Sequence, residues 1–171
     1  MDVPRVNAVT REDAHPIPRV DDISDQLGGA KYFTTLYLDS GYWQIPLREE
    51  DKAKTAFAVG LAHYEFNLMP LGLTNVPATF QRRMCRILQG CEGCFVFIDD
   101  IIVFGRAFEE HFQRLEAVFA RIREVVLKIR RDKCHFASPS VKFLSHIVSV
   151  MESGPTLRNF ELSKIIPLPR Q

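Results

Sequence analysis

The sequence predicts an α+β domain, an antiparallel sheet with helices packed on one face, and three observations lead there. Short β-prone runs interleave with helical stretches in the order strand, helix, hairpin, helix, strand. Phe108, Phe112, Leu115, Phe119, Ile122, Val126 and Ile129 alternate spacings of four and three, which makes one apolar stripe on a long helix. Phe95 to Phe104 is apolar and β-prone on both sides of Asp99-Asp100, the pattern of a tight hairpin.

Taken in order, residues 1–18 are irregular and marked by Pro4, Pro16 and Pro18. Arg19 to Leu27 suits a short helix, with Gly28-Gly29 as its stop. Lys31 to Leu38 is rich in Tyr, Phe, Thr and Leu and predicts a strand, which Ser40-Gly41 breaks. Tyr42 to Leu47, Thr55 to Val59 and His63 to Leu68 are further short strand candidates. After the Pro70 to Asn75 loop, Asn75 or Thr74 is placed to cap a helix running to about Leu88, with Pro77 in its first turn. Gly90 and Gly93 flank a turn before the hairpin. Val141 to Val150 reads as a strand or hairpin, and the signal fades after Ser153-Gly154-Pro155.

The chain has 171 residues, enough for one domain with a genuine core. Its 46% hydrophobic and 25% charged content is ordinary for a globular protein. Lys plus Arg number 22 and Asp plus Glu 21, so net charge gives no argument for a nucleic-acid partner, although a local basic stripe would suffice for one. No apolar run approaches the ~20 residues that span a bilayer, and the first residues lack the apolar stretch of a signal peptide. No membrane role and an intracellular location are therefore expected, with Cys85, Cys91, Cys94 and Cys134 as free thiols. Cys91-x-x-Cys94 has zinc-like spacing, but only the distant Cys134-His135 offers a second pair, so idle thiols are the expectation.

Burying an unpaired carboxylate costs several kcal/mol, and two neighbours also repel. Asp99 and Asp100 must therefore reach water, a cation or both. Two readings stand on spacing alone: a solvated turn that blunts a sticky ribbon, or a site for a hard divalent cation.

The flanking residues add a family. Phe97-Ile98-Asp99-Asp100 resembles the aromatic-x-Asp-Asp box of reverse transcriptases. Asn7 to Asp22, Leu27 to Phe33 and Ser40-Gly41-Tyr42-Trp43-Gln44-Ile45 look like successive blocks of gypsy-type retrotransposon polymerases. Lys54-Thr55-Ala56-Phe57, His63 to Phe66, Met69 to Gln81, Phe108 to His111, Lys133 to Phe136 and Phe143 to Val148 follow in family order. The resemblance covers about residues 5 to 150, so residues 1–150 are expected to form a fingers and palm core and 151–171 a poorly matching tail.

The resemblance implies the palm of a right-hand polymerase with partial fingers. It implies RNA-directed DNA synthesis from deoxynucleoside triphosphates on an RNA or DNA template-primer. It also implies two Mg²⁺ (or Mn²⁺) ions held by carboxylates within ~4 Å of each other. Carried over by position, Asp99 and Asp100 are metal ligands, and Tyr42 is the gate beneath the incoming sugar. Leu71 and Gly72 lie on the nucleotide-binding face, and Phe143, Leu144, Ser145 and His146 grip the primer. Arg82, Arg83 and Arg86, on one helix, are candidate phosphate contacts. The run from Lys128 to Lys133 is a second basic cluster.

The chain departs from the family at one costly position. Where the family carries an aspartate five residues before the gate tyrosine, this sequence has Tyr37. A phenol with a pKa near ~10 is a poor, neutral ligand for Mg²⁺. Asp39 is the nearby substitute, since strand residues 37 and 39 share a face. They are however about 6.5 Å apart along it, a poor fit to a site that needs sub-ångström placement. Phe97, Leu71 and Ser145 replace a usual tyrosine, phenylalanine and glycine. The implied upstream fingers, thumb and ribonuclease H region are not matched, so a truncated, decayed copy with impaired catalysis is expected. The alternative is a non-catalytic remnant acting at most as a nucleic-acid-binding fold.

Overall fold

The structure, a computed structural model, describes residues 3–13, 15, 26–144, 146–150 and, for the backbone alone, 156–159. The proposed helix from Arg19 to Leu27 lies almost wholly outside the described residues, as does Ser145. A short helix, α1 (Val3–Val9), opens the chain where an irregular segment is expected from its prolines.

The centre is a four-stranded antiparallel sheet. It contains β1 (Tyr32–Tyr37), β4 (Cys94–Phe97), β5 (Asp100–Gly105) and β6 (His135–Ser138), in the order β4-β5-β1-β6. The predicted hairpin is β4 and β5, with Phe97 opposite Asp100, and β5 runs along β1 from Tyr32↔Gly105 to Tyr37↔Asp100. Two small elements precede the helical layer: α2 (Glu49–Lys52) and the hairpin of β2 (Phe57–Val59) and β3 (Ala62–Tyr64). A separate three-stranded sheet joins β7 (Ser140–Phe143), β8 (His146–Ser149) and β9 (Thr156–Asn159). Among the described residues, no helix is long and apolar enough to cross a membrane.

Strand alternation separates two cores. Leu36, Ile101, Val103 and Val96 face the helices α3 (Val76–Ile87) and α4 (Phe108–Glu124), packing with Phe80, Met84, Val118 and Ile122. Phe33, Ile102 and Phe104 face the other way, toward Val141, Phe143 and Val148 of the second sheet. Each fully buried Leu, Ile or Phe contributes about 1.5–3 kcal/mol, so both faces of β1 and β5 are anchored. Gly105 is required by this packing: a Cβ there would stand 2.8 Å from the His111 backbone.

Three sequence expectations are corrected. Gly41–Gln44 forms a 3-10 turn, so Tyr42 to Leu47 is no strand, and only Pro46 pairs with Leu68. Asn75 stands at the start of α3 but makes no capping bond. Its side chain instead accepts the Asp13 N–H (2.9 Å) and donates to the Arg11 carbonyl (2.8 Å). The buried positions of α4 are His111, Val118 and Ile122, with Leu115 and Phe119 at the margin, while Phe108 and Phe112 are 49% and 56% exposed. The helix stops at Glu124, and Val126 takes a left-handed φ of 59° that turns it into solvent. Only the part of the apolar stripe up to Ile122 thus belongs to α4, which packs on the sheet through Leu115, Val118, Phe119 and Ile122.

His111 is 1% exposed, with its Nε2 2.8 Å from the Thr34 hydroxyl, and its Nδ1 has no partner among the described residues. Burial first, then the nearby Arg114 cation, lowers its pKa below the imidazole value of 6.5. A base whose folded pKa is depressed contributes stability above its unfolded pKa and loses it as pH falls. Melting temperature should therefore drop on acidification below about pH 6.5, and His111→Gln should flatten that slope. An unchanged slope in the variant would remove His111 as its source.

Candidate functional site

The turn between β4 and β5 carries the site. Ile98 holds a φ of 54°, a region that β-branched residues avoid, so the turn needs support. Gln81, fully buried on α3, supplies it: Oε1 accepts the Ile98 N–H at 2.6 Å while Nε2 donates to the Val96 carbonyl at 2.9 Å. On the other side, the Leu38 N–H donates to the Asp99 carbonyl at 3.1 Å. Both carboxylates are half-buried rather than standing free at a hairpin tip. Burial, followed by repulsion from Asp99, raises the Asp100 pKa to about 6, against the pull of Lys133.

Tyr37 lies in the same place. Its backbone pairs with Asp100, and its phenol stands beside the Asp99 carboxylate and interacts with it. Its interaction with the Asp99 side chain, then burial, then the charge of Asp99, pushes the phenol up to about 12, so it stays protonated. The Lys133 ammonium sits 4.4 Å from the centre of the Tyr37 ring, a cation–π contact. Cys134 is fixed against the same strand, accepting the Tyr37 N–H at 3.5 Å, so it does not join Cys91 and Cys94. Among the described residues no group of three or more His, Cys, Asp or Glu side chains is placed to hold a metal ion.

Asp39 does not continue the strand. β1 ends at Tyr37, Leu38 makes an isolated bridge to Ile129, and the chain turns at Asp39-Ser40, with Ser40 at φ 52°. Gln44 locks this turn, donating to the Asp39 and Lys128 carbonyls at 2.5 and 3.0 Å and accepting the Lys128 N–H at 2.6 Å. The alternation that would put Asp39 on the face of Tyr37 is therefore broken.

The other candidates divide into those near the carboxylates and those apart. Tyr42 packs edge-on against Phe80, with centroids 5.1 Å apart, and burial followed by the Asp99 charge raises its pKa. Gly41 permits this approach, since a Cβ would lie 2.8 Å from the Phe80 ring and 3.5 Å from the Asp99 Cβ. Leu71 is exposed and borders a cavity of about 260 Å³ with Trp43, Phe57 and Phe66. The Gly72 carbonyl accepts a 2.8 Å bond from the Asn7 side chain. A second cavity, of about 460 Å³, joins Tyr37, Asp100, Lys133, His135, Phe143 and Leu144. Phe143 is buried, Leu144 has a φ of 49°, and His146 Nδ1 donates to the Leu144 carbonyl at 2.7 Å. Arg82, Arg83 and Arg86 instead line a groove with Arg48 and Arg121 on the helical layer.

Sequence reasoning gave no individual role to Gln81 or Lys133. The signal for Gln81 was present: it shares the apolar face of α3 with Phe80 and Met84, where a polar side chain must find internal partners.

Residues 1–148 match the family described as Reverse transcriptase (RNA-dependent DNA polymerase). The Pol polyprotein of the Drosophila melanogaster transposon 297 is 42% identical over 151 residues, covering 87% of this chain and 14% of the polyprotein. That of transposon 412, from the same fly, is 36% identical over 171 residues, covering 99% of this chain and 14% of its own length. Among solved structures, a foamy viral protease-reverse transcriptase in complex with ds DNA superposes with a TM-score of 0.80 at 25% identity, covering 92% of this chain and 27% of that one. A second, in complex with RNA/DNA hybrid, gives 0.78 at 26% identity, covering 86% and 20%. With its palm-like sheet, its Asp99-Asp100 turn and these relatives, the chain belongs to the reverse transcriptase (RNA-dependent DNA polymerase) family, and it is similar to a short part of transposon Pol polyproteins.

Proposed function

We propose that the chain is the palm core of an RNA-directed DNA polymerase whose nucleotidyl-transfer centre is impaired, leaving a fold that holds template-primer without extending it. The observation that carries this reading is Tyr37, a neutral phenol beside Asp99, at the strand position facing Asp100.

The family uses divalent metal ions, and an intact site would hold two Mg²⁺ or Mn²⁺ between carboxylates. The donor set here does not fit that pair. Asp99 and Asp100 are adjacent on one turn, and the facing position offers a protonated phenol. Asp39 leaves the strand before it can take that place. Lys133 adds a fixed positive charge where cations would bind, partly neutralising Asp100 and resting on the Tyr37 ring. One of the two negative charges is therefore partly offset from within the chain.

Binding is better supported. Lys133 and His135 line the cavity beside Phe143 and Leu144, which suits a primer strand's phosphates. Tyr42, Leu71 and Gly72 would meet a deoxynucleoside triphosphate, with Tyr42 testing the sugar by bulk. Ser145 and His146 would complete the primer grip. The test is fluorescence anisotropy of a labelled primer-template duplex. Binding should be salt-sensitive and indifferent to Mg²⁺ beyond its ionic strength, and a specific Mg²⁺ requirement would contradict the reading.

A further inference from the structure

The groove on the helical layer is built of arginines from three separate segments. Arg48 precedes α2, Arg82, Arg83 and Arg86 lie on α3, and Arg121 lies on α4, around a cavity of about 670 Å³. Three of the five have carboxylate partners: Arg48 with Glu50 at 3.6 Å, Arg82 with Asp13, and Arg121 with Glu124 at 3.5 Å. Arg83 and Arg86 are exposed and make no ion pair with another described residue. The two acids lining the groove are already engaged, Asp51 by Lys54 at 2.6 Å and Glu124 by Arg121. Only Arg86 sits in the last turn of α3, where the helix dipole accounts for a cation. Among the described residues, the charge of Arg83 and Arg86 is thus left without an acidic partner.

The groove is also separate from the cleft described above. Tyr37 and Asp100 border the cavity toward β7, whereas the groove lies on α3 and α4, which cover the opposite face of the sheet. A strand held at Phe143 and Lys133 does not reach Arg83 through that layer.

We propose that this groove is a second nucleic-acid site, which grips a phosphate backbone without reading sequence. Arginine forks match phosphate oxygens in paired hydrogen bonds. Arg83 and Arg86, the two without ion pairs among the described residues, stand three residues apart on α3, about 4.5 Å along its axis, so both can meet one phosphate backbone. No aromatic side chain lines the groove, so bases have nothing to stack on and the contacts go to the backbone. The choice of nucleic acid over another polyanion rests on the proposed template-primer reading; the existence of an anion site does not.

The experiment uses the whole chain, with labelled single strands of two unrelated sequences and a labelled duplex, read by anisotropy across a salt series. Arg83→Ala/Arg86→Ala should weaken single-strand binding about tenfold at low salt, equally for both sequences. It should also reduce the salt slope by roughly 1.4, two contacts at ~0.7 each. Arg83→Lys/Arg86→Lys should keep most of the slope, which separates lost charge from lost folding. Unchanged affinity and slope in the alanine variant, or a marked difference between the two sequences, would overturn the proposal. So would displacement of the bound strand by polyglutamate at equal charge, which marks an acidic-protein site. If the duplex fails to bind the unmodified chain while the single strand still depends on Arg83 and Arg86, the template-primer reading falls and the groove stands.

Discussion

Tyr37→Asp is expected to turn a chain whose melting temperature ignores Mg²⁺ into one that Mg²⁺ stabilises. The substitution removes the phenol beside Asp99 and places a hard anionic oxygen opposite Asp100. Without metal, three carboxylates then crowd one another across β1 and the β4–β5 turn, and Lys133 loses its ring, so the variant should melt lower. Metal bound only by the folded state adds about 2.7 kcal/mol at a hundredfold excess over its dissociation constant. For a chain of this size that is a rise of roughly 5–10 °C. Lys133 competes for the new carboxylate, so adding Lys133→Met should enlarge the response. Equal melting shifts in the unmodified chain and the variant would mean that Tyr37 does not stand in the metal position.

The second large effect is expected at Gln81. Gln81→Ala leaves the Val96 carbonyl and the Ile98 N–H without their side-chain partner and opens a void beside Phe80 and Met84. Unmet buried groups cost about 1–3 kcal/mol each, so a total loss of roughly 2–4 kcal/mol is expected in denaturant unfolding. The strained Ile98 should relax with it, because its left-handed backbone persists only while its surroundings hold it. Gln81→Glu removes only the donor to Val96 and adds a buried charge, so it should be no milder. A loss below about 0.5 kcal/mol for the alanine variant would show that the turn does not depend on this clamp.

Much of the fold was legible because periodicity reports burial. The β4–β5 hairpin, β1, α3 and the β7–β8 hairpin were all readable as runs of the right period bounded by turn residues. The failures share a cause. At Gly41–Gln44 the residues are β-prone, yet Gln44 bonds across to Lys128 and draws the segment into a tight turn, a tertiary contact invisible in the local pattern. In α4 the stripe of large apolar residues suggested Phe108 and Phe112 inside, but His111, bonded to Thr34, takes the buried position and both phenylalanines stay exposed. β6 begins beside the Lys133 block and pairs with β1 through an irregular register, which no alternation announces. In the candidate site, the carboxylates and Tyr37 were visible as residue types, and the resemblance supplied their meaning. The closeness of Tyr37 to Asp99 was not visible, because it depends on a register set by two strands far apart in sequence.

The central claim is that Tyr37, in place of a carboxylate facing Asp100, disables the transfer centre of this palm. Primer extension tests it most directly: the unmodified chain, a primed RNA template and deoxynucleoside triphosphates, with Mg²⁺ and Mn²⁺ in separate reactions and duplex binding measured in the same samples. The account predicts bound duplex and no lengthened primer with either ion. Robust synthesis by the unmodified chain would contradict it.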